Sequence, residues 1–597
     1  MDSPSTVPCE DRALRTTDYL LLISLCLVLF GFSLINPRIL GNHETTHCLN
    51  VREIFSSGEW LIPTYGERRW LERPPLPQWM TAIGVALCGD LGPDRAYRIG
   101  SIFIATLAVL VFAWAIASCR GRMLGLMSGG ILATMREYSS YATGIEADVF
   151  LASFVTIAGS LLLRILAGSR ANERGTTFLG GRSWLVVLFF VVLGATNAMK
   201  GPLFGMIFLL LPLAVLLAWG RSVRQLLPLV WLWGWLLALV IGAAWPVYAY
   251  LKFPDIVDLW AADYGLRVTS GAYVSQPFWY YAAEHPWNIF PWTIPAIVGL
   301  FATARSARRG EDPTIRFIWC WAIAPVLFLS LFKGKHHHYM LSCLAPAAFL
   351  AAVGACAIWQ KMQTWPNWLR QPWISIALLG IPGAIAIYLV RGKIPGSNTV
   401  HAAWIAGWLL VVFGSWWIVG RTNKRIVVPS AFAMIVVVHC AIFEYLAQFA
   451  EESAADRAFV EEVRGVDLGD KPLLVLNDHH VLNASWFMFY LGEHAQFLHN
   501  TTFLRGENLN VSEVYVVCRM RDEVALKEYG HVRPLVQSKK TRFETSPIDR
   551  YTLYALRFHS DLARVPANVR MTTMQCSGRE EGPHLKLPRT DRTDRSR

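Results

Sequence analysis

Apolar stretches of about the length that crosses a lipid bilayer recur along this chain from residue 19 to residue 449. A bilayer core requires about 20 apolar residues per helix, and helices satisfy their own backbone hydrogen bonds there. With 54% hydrophobic and 16% charged residues, the chain is too apolar for an ordinary soluble protein. We therefore predict an all-α polytopic membrane protein. The predicted spans, 13 in number, are residues 19–35, 96–118, 123–142, 149–167, 184–198, 202–219, 226–251, 289–304, 315–332, 339–358, 373–390, 402–419 and 426–449.

The positions of lysine and arginine in the short loops predict how the chain lies in the membrane. With a cytoplasmic N-terminus, 17 such residues fall in cytoplasmic segments and 5 in the opposite short loops, as the positive-inside rule requires. Two longer loops, residues 36–95 and 252–288, then face outward. The net charge of +12 is explained by this topology, so we predict no nucleic-acid partner. The first span lacks a small-residue cleavage site and is interpreted as an anchored helix.

The composition changes after residue 449. Residues 472–476, 513–517 and 551–556 have the pattern of short β-strands and 485–490 that of a helix, which predicts a small C-terminal α/β domain outside the membrane. The 11 cysteines are scattered and indicate no disulfide framework. The predicted organisation is a cytoplasmic tail at 1–18, a transmembrane domain at 19–450, an extracytoplasmic domain at 451–575 and a disordered tail at 576–597.

The first outer loop begins with His43-Glu44-Thr45-Thr46-His47, which matches the H-E-x-x-H signature of zinc metalloproteases. In such a site His43 and His47 would bind zinc and Glu44 would act as the base. Pro37 and Gly41 leave little helix before the motif, and no second motif supports proteolysis. A zinc membrane protease therefore remains an alternative, and a surface helix without metal explains the same letters.

The rest of this loop predicts a folded lid on the membrane surface. Residues 45–55 can form a helix that Gly58 ends. Residues 76–88 are an apolar run of 13, too short to span, and follow Pro74-Pro75, which favour an extended backbone before them. We predict a re-entrant or interfacial helix for this run.

Six short motifs then occur in order between residues 43 and 339, all on the predicted outer face. They are His43-Glu44-x-x-His47 continuing to Gly58-Glu59-Trp60-x-x-Pro63, Glu72-Arg73-Pro74-Pro75-Leu76, Ile145-Glu146-Ala147-Asp148, Lys200-Gly201-Pro202, Phe278-Trp279-Tyr280-Tyr281, and Lys335-x-x-His338-Tyr339. On these residues the chain resembles the lipid-linked-sugar glycosyltransferases of the GT-C type. Within that type it resembles the bacterial aminoarabinose lipid A transferases and their relatives among the protein O-mannosyltransferases.

The resemblance implies GT-C architecture and an inverting glycosyltransferase in the bacterial inner membrane. The donor would be a polyprenyl-phosphate sugar, because no nucleotide sugars are supplied outside the cell, and the acceptor a lipid A-like glycolipid. A protein hydroxyl is the alternative acceptor. The alternative from another class is a polytopic transporter, but we find neither the internal repeats nor the charges at mid-membrane that transporters tend to show. The sequence does not name the sugar or the acceptor.

The leaving group in such a reaction is a lipid phosphate anion, which cations must stabilise. Arg73 can offer a bidentate fork, and Lys200, Lys335 and His338 can add further donors. For Lys200 the structural alternative is a lysine that extends from a short span to the membrane surface. We predict that these four residues form the donor-phosphate site.

The acceptor hydroxyl requires a general base, and Glu44 and Asp148 are the carboxylates at the mouths of spans. His43 stands where the family has the aspartate usually considered the base. Either Glu44 or Asp148 takes that role, or the acceptor is already an anion such as a lipid phosphate, or the acceptor or the activity has changed. We include His43, Glu44 and Asp148 as candidate catalytic residues.

Further candidates could contact the substrates. They are Glu72, Arg267, Trp279, Tyr280 and Tyr339. For the aromatic residues, an interfacial belt is the structural alternative. The sequence indicates no particular cofactor. His336-His337-His338 leaves a divalent metal open, although adjacent histidines point in different directions on a helix.

Overall fold

The computed structural model describes most of the membrane region and the core of the C-terminal domain. The described residues are 13–35, 40–65, 68–171, 183–201, 204–220, 223–265, 275–310, 312–366, single positions and short runs between 381 and 414, 454–476, 481–492, 495–498, 504, 512–538 and 550–559. The predicted spans at 373–390, 402–419 and 426–449, and the tail from 576, therefore lie largely or wholly outside the described residues.

The region up to residue 363 is helical. Its α-helices are α1 (Thr16–Ile35), α2 (Asn42–Ser57), α3 (Leu76–Cys88), α4 (Pro93–Ala96), α5 (Ile99–Arg120), α6 (Arg122–Thr134), α7 (Arg136–Ala142), α8 (Ala147–Ala171), α9 (Ser183–Lys200), α10 (Phe204–Gly220), α11 (Leu232–Lys252), α12 (Ile256–Gly265), α13 (Tyr280–Asn288), α14 (Thr293–Arg309), α15 (Pro313–Ser330) and α16 (Leu344–Gln363). Turns of 3-10 helix cover Gly89–Leu91, Val223–Val230 and His337–Cys343.

Among the described residues, 6 helices are long and apolar enough to cross a membrane, or 7 if one bent helix pair is a single span. Three more apolar helices are shorter, at Leu76–Cys88, Trp184–Lys200 and Phe204–Gly220. The prediction of a mostly helical integral membrane protein is confirmed.

Helix breaks occur at two of the predicted spans. The span at 123–142 divides into α6 and α7, because Met135 between them is extended (φ −67°, ψ 133°). The segment around 289–304 belongs to the bent pair, in which α13 and α14 meet at 109°. A hydrogen bond connects the residues at the two breaks, because the Arg136 N–H donates to the Phe290 carbonyl over 2.9 Å.

The helices α14 and α16 approach each other through two glycines. A Cβ on Gly299 would lie 1.8 Å from the Leu350 carbonyl oxygen, and one on Gly354 would lie 1.8 Å from that of Pro295. Small residues allow helix backbones to approach this closely in a membrane. The contact therefore has no room for a methyl group on either helix.

Both helices predicted in the loop at residues 36–95 are present, but the expectation of a surface helix is wrong for α2, because its residues 44–51 are buried. Helix α2 ends at Gly58, whose φ of 71° is in the left-handed region that glycine adopts readily. The apolar run at 76–88 is helix α3, which begins immediately after Pro75. Between them the strands β1 (Thr64–Tyr65) and β2 (Arg68–Arg69) form a short antiparallel hairpin.

The C-terminal region contains a mixed five-stranded sheet. Its elements are α17 (Ala454–Arg464), β3 (Leu473–Leu476), α18 (Val481–Leu491), β4 (Ala495–Leu498), β5 (Glu513–Arg519), a 3-10 turn (Met520–Asp522), α19 (Glu523–Lys527), β6 (Gly530–Gln537) and β7 (Tyr551–Phe558). The strand order is β4-β3-β5-β7-β6, with β3 parallel to β4 and β5, and β7 antiparallel to β5 and β6. The three predicted strands and the predicted helix are confirmed, while β4 and β6 were not predicted.

We expect Gly299→Ala to destabilise the protein by about 1–3 kcal/mol, because the new methyl group overlaps a backbone carbonyl that cannot rotate away. Thermal unfolding in detergent measures the effect. Gly31→Ala is the control, since a Cβ there meets no atom within 4 Å. Equal melting temperatures for the two variants would contradict the close α14–α16 contact.

Candidate functional site

The core of the site is an ion pair between two helix ends. Asp148 lies in the first turn of α8 and Lys200 is the last residue of α9. The Lys200 ammonium donates to Asp148 Oδ1, and both side chains are largely buried. Gly201 has a φ of 110°, so the chain turns sharply after the lysine at little steric cost. The motifs at 145–148 and 200–202 thus meet in space.

Aromatic rings and a histidine surround this pair. The Lys200 nitrogen lies 4.8 Å from the centre of the Tyr339 ring and 5.2 Å from that of Phe204, distances at which a cation is attracted to a ring face. His338 Nε2 is 4.0 Å from Asp148 Oδ1. The motif at 335–339 therefore joins the same site through His338 and Tyr339.

Arg73 and His43 connect the first outer loop to this site. The charge of Arg73 interacts with both Asp148 and His43, and the charges of Asp148 and Lys200 also act on His43. Although His43 is exposed, crowding by protein atoms and then the charge of Arg73 lower the pKa of its imidazole. The neutral imidazole is the form that these surroundings favour.

The side chain of Glu44, the next residue, is held in place by hydrogen bonds from two backbone N–H groups. Its Oε2 accepts from the Gly41 N–H over 2.7 Å and its Oε1 from the Ile145 N–H over 3.0 Å. The first bond caps the start of α2, and the second links it to the segment that leads to Asp148. Arg98, fully buried, lies 3.9 Å from Glu44 Oε1 and donates to the Thr143 carbonyl. The carboxylate is thus engaged by backbone donors and a buried cation.

Sequence analysis missed Arg98 and Tyr141. Arg98 lies within the predicted span at 96–118, and a charge inside an apolar span is the signal that could have identified it. The Tyr141 hydroxyl is 3.2 Å from His337 Nε2, and its ring lies 6.1 Å from that of His338. The sequence pattern carried no signal for this tyrosine.

His47 is packed as a core residue. Its Nε2 is 2.9 Å from the Thr81 hydroxyl, and its ring stacks on Phe150 at 6.3 Å between centres. Burial lowers the pKa of His47 to about 4. Within the part of the chain that the structure describes, no three His, Cys, Asp or Glu side chains form a group that could hold a metal. In this protein the H-E-x-x-H sequence supplies Glu44 as a helix cap and His47 as a buried core residue.

Lys335 has a different environment from Lys200. Its ammonium, buried, donates to the Gln276 carbonyl over 3.0 Å and to the Phe332 carbonyl. Ser275 and Gly334 form an isolated antiparallel bridge beside it. These contacts tie residues 275 and 276 to the turn before His338.

The remaining candidates are exposed or half-buried, or lie outside the described residues. Glu72 is exposed next to Arg73, and Trp279 is 55% exposed at the start of α13. Tyr280 is half-buried, with its ring 5.2 Å from that of Tyr281. Arg267 lies outside the described residues. The substrate contacts of these residues stay predictions.

Comparison with known proteins agrees with the fold. Residues 72–248 match the family of dolichyl-phosphate-mannose-protein mannosyltransferases. The chain is 26% identical over 412 residues to an undecaprenyl phosphate-alpha-4-amino-4-deoxy-L-arabinose arabinosyl transferase of Proteus mirabilis, across 67% of this chain and 70% of the relative. It is 28% identical over 391 residues to the Erwinia tasmaniensis transferase of that name, across 63% of this chain and 66% of the relative.

A solved structure shows the same architecture. The crystal structure of ArnT from Cupriavidus metallidurans, bound to undecaprenyl phosphate, aligns with a TM-score of 0.69 at 18% identity, across 92% of this chain and 100% of that one. The fold is therefore that of a polytopic membrane glycosyltransferase of the GT-C type. Within this class, the resemblance to the aminoarabinose transferases and the protein mannosyltransferases is confirmed.

We expect acid to destabilise the fold through His47. Its pKa of about 4 in the folded chain lies below the ordinary 6.5, so the unfolded chain binds the proton more tightly. The folded state therefore has its full stability above about pH 6.5. The free energy of unfolding falls by up to about 3 kcal/mol as the pH drops towards 4. Melting temperatures at pH 7.5 and 5 measure this, and His47→Gln should reduce the difference. Substitution of His531, which is exposed, should leave it unchanged.

Proposed function

We propose that this protein transfers a sugar from a polyprenyl phosphate to a phosphate-bearing, lipid A-like glycolipid, with inversion at the anomeric carbon. The relatives named as aminoarabinose transferases make 4-amino-4-deoxyarabinose the first sugar to test. The observation that carries the proposal is the ion pair of Lys200 and Asp148 at the ends of α9 and α8, with the charge of Arg73 acting on Asp148 and on His43 at the start of α2.

Two cations and one carboxylate give this site a net positive charge that suits one lipid phosphate. Arg73 can bind two phosphate oxygens at once, and Lys200 can add a point charge. Asp148 holds the Lys200 ammonium at the C-terminal end of α9. As the bond between the anomeric carbon and the phosphate oxygen breaks, the electron pair stays on the phosphate, and the cations stabilise that charge.

The neutral form of His43 favours an acceptor that is already an anion. In the displacement an acceptor oxygen forms a bond to the anomeric carbon on the face opposite the leaving phosphate. A phosphate oxygen is already anionic and needs no strong base, whereas a carboxylate at position 43 would repel it. A neutral imidazole can hydrogen-bond to such an acceptor or take its remaining proton. We therefore assign acceptor binding to His43, and positioning roles to Glu44 and Asp148.

Lys335 joins the donor site indirectly in this proposal. Its ammonium is engaged by two backbone carbonyls, so we assign it to holding the turn that presents His338. His338 and Tyr339 then contact the donor headgroup beside Lys200. A protein hydroxyl as acceptor remains the second candidate, and it would require a general base, a role for which the lowered pKa makes the His43 imidazole weaker.

The number of membrane spans and their orientation are also part of the proposal. We propose 13 spans, a cytoplasmic N-terminus and an outward C-terminal domain, because the loop charges favour this arrangement. The domain limits at 18, 450 and 575 are part of it. Cysteine labelling from either side of the membrane would test the orientation.

We expect Arg73→Gln and Lys200→Gln each to reduce transfer at least about a hundredfold, since each removes a donor to the leaving phosphate. The assay follows sugar transfer from a polyprenyl-phosphate sugar to lipid A in membranes, by mass spectrometry. Arg69→Gln is the control, because Arg69 is exposed in the same loop and stacks on Phe253 at 4.3 Å. Wild-type activity in both site variants would contradict the phosphate site.

We expect transfer to fall as the pH drops through a value below 6.5, because protonation of His43, with its lowered pKa, removes the neutral imidazole. His43→Gln should reduce the rate and abolish this acid limb. His43→Asp distinguishes the acceptors: it should impair transfer to a glycolipid phosphate, while transfer to a hydroxyl should persist. An unchanged acid limb in His43→Gln would contradict the assignment.

A further inference from the structure

The C-terminal domain is bonded directly to the chain just before His43. The Leu40 N–H donates to the Tyr490 hydroxyl over 3.0 Å, and the Leu40 carbonyl accepts from Trp486 Nε1 over 3.1 Å. All three residues are buried. Both backbone polar groups of a residue three positions before His43 are thus satisfied by side chains of α18.

Other contacts extend this junction along α2. The Thr46 hydroxyl donates to the Ser485 hydroxyl over 3.1 Å, and Arg52 donates to the Met488 carbonyl over 3.2 Å. The start of α2 is therefore fixed from the C-terminal domain, while Glu44 fixes it from the membrane domain through the Ile145 N–H.

We propose that Tyr490 and Trp486 are positioning residues of the transferase site. They hold the Leu40 backbone, and through the first turn of α2 they set the position of His43 relative to Arg73 and Asp148. The inference rests on the proposed function, because it assigns the C-terminal domain a part in acceptor binding by His43.

The physical basis is that the buried polar groups of Leu40 require partners. A buried N–H that loses its acceptor is costly, so the backbone would move to reach another partner. A shift of about 1 Å in a reacting group can cost on the order of a hundredfold in rate. We expect a smaller effect on the donor site, because Asp148 and Lys200 are held by each other at the ends of α8 and α9, whereas Leu40 lies just before α2.

The test is Tyr490→Phe in the full-length protein. This change removes one oxygen and keeps the ring, whose centre lies 4.6 Å from that of Trp486 and 5.2 Å from that of Phe489. We expect kcat to fall about tenfold, with the KM for the polyprenyl-phosphate sugar unchanged. Trp486→Phe, which removes the other hydrogen bond, should act in the same direction.

Tyr554→Phe is the matched control. Its hydroxyl donates to Glu523 over 3.0 Å in a separate core of the same domain, so kcat should stay at the wild-type value. A fall equal to that of Tyr490→Phe would indicate general damage to the domain and overturn the proposal.

A double-mutant cycle with His43→Gln separates positioning from stability. If Tyr490 acts through His43, adding Tyr490→Phe to His43→Gln should cost no further activity, because coupled residues are not additive. Full additivity of the two losses would overturn the proposal.

Hydrogen exchange at the Leu40 amide tests the junction independently of activity. Tyr490→Phe should speed exchange there, and Tyr554→Phe should not. Faster exchange with unchanged kcat would overturn the positioning role. Failure of the proposed function is distinguishable, since it would appear as no transfer by the wild-type protein with the same exchange result.

Discussion

The buried carboxylate of Glu44 joins the parts on which the site depends. It caps α2, accepts from the backbone just before α8, and lies beside the buried Arg98. These contacts tie the start of α2 to the membrane helices, three residues before Asp148. A buried charge is tolerated only when it is paired and hydrogen-bonded, so this arrangement holds only with all of its partners present.

The site combines two kinds of support. Lys200 and Asp148 neutralise each other at the ends of rigid helices, whereas His43 and Arg73 come from a loop that folds outside those helices. The loop is held in turn by the C-terminal domain through α18. In the proposed function, the donor site therefore combines the membrane helices, through Lys200 and Asp148, with the loop, through Arg73, and the acceptor site depends on His43 in the same loop.

Much of this was predictable from the sequence. Apolar length gave the helical membrane region, and Gly58 and Pro75 marked the limits of α2 and α3 because their backbone preferences are local. The role of Glu44 was not, since the letters around it also match a zinc-protease motif, and its bonds to the Gly41 and Ile145 N–H groups are set by the tertiary fold. Trp486 and Tyr490 were missed because the motifs that carried the resemblance end before the C-terminal domain.

The ion pair between Lys200 and Asp148 is also relevant to release of the lipid phosphate product. An anion that enters this site exchanges one partner of the lysine for another, so its net gain in binding free energy is smaller than for an unpaired ammonium. Asp148 can recapture the lysine when the spent lipid phosphate departs. In the proposed reaction, this exchange of partners would favour release of the spent carrier, and the ion pair would limit inhibition by the product.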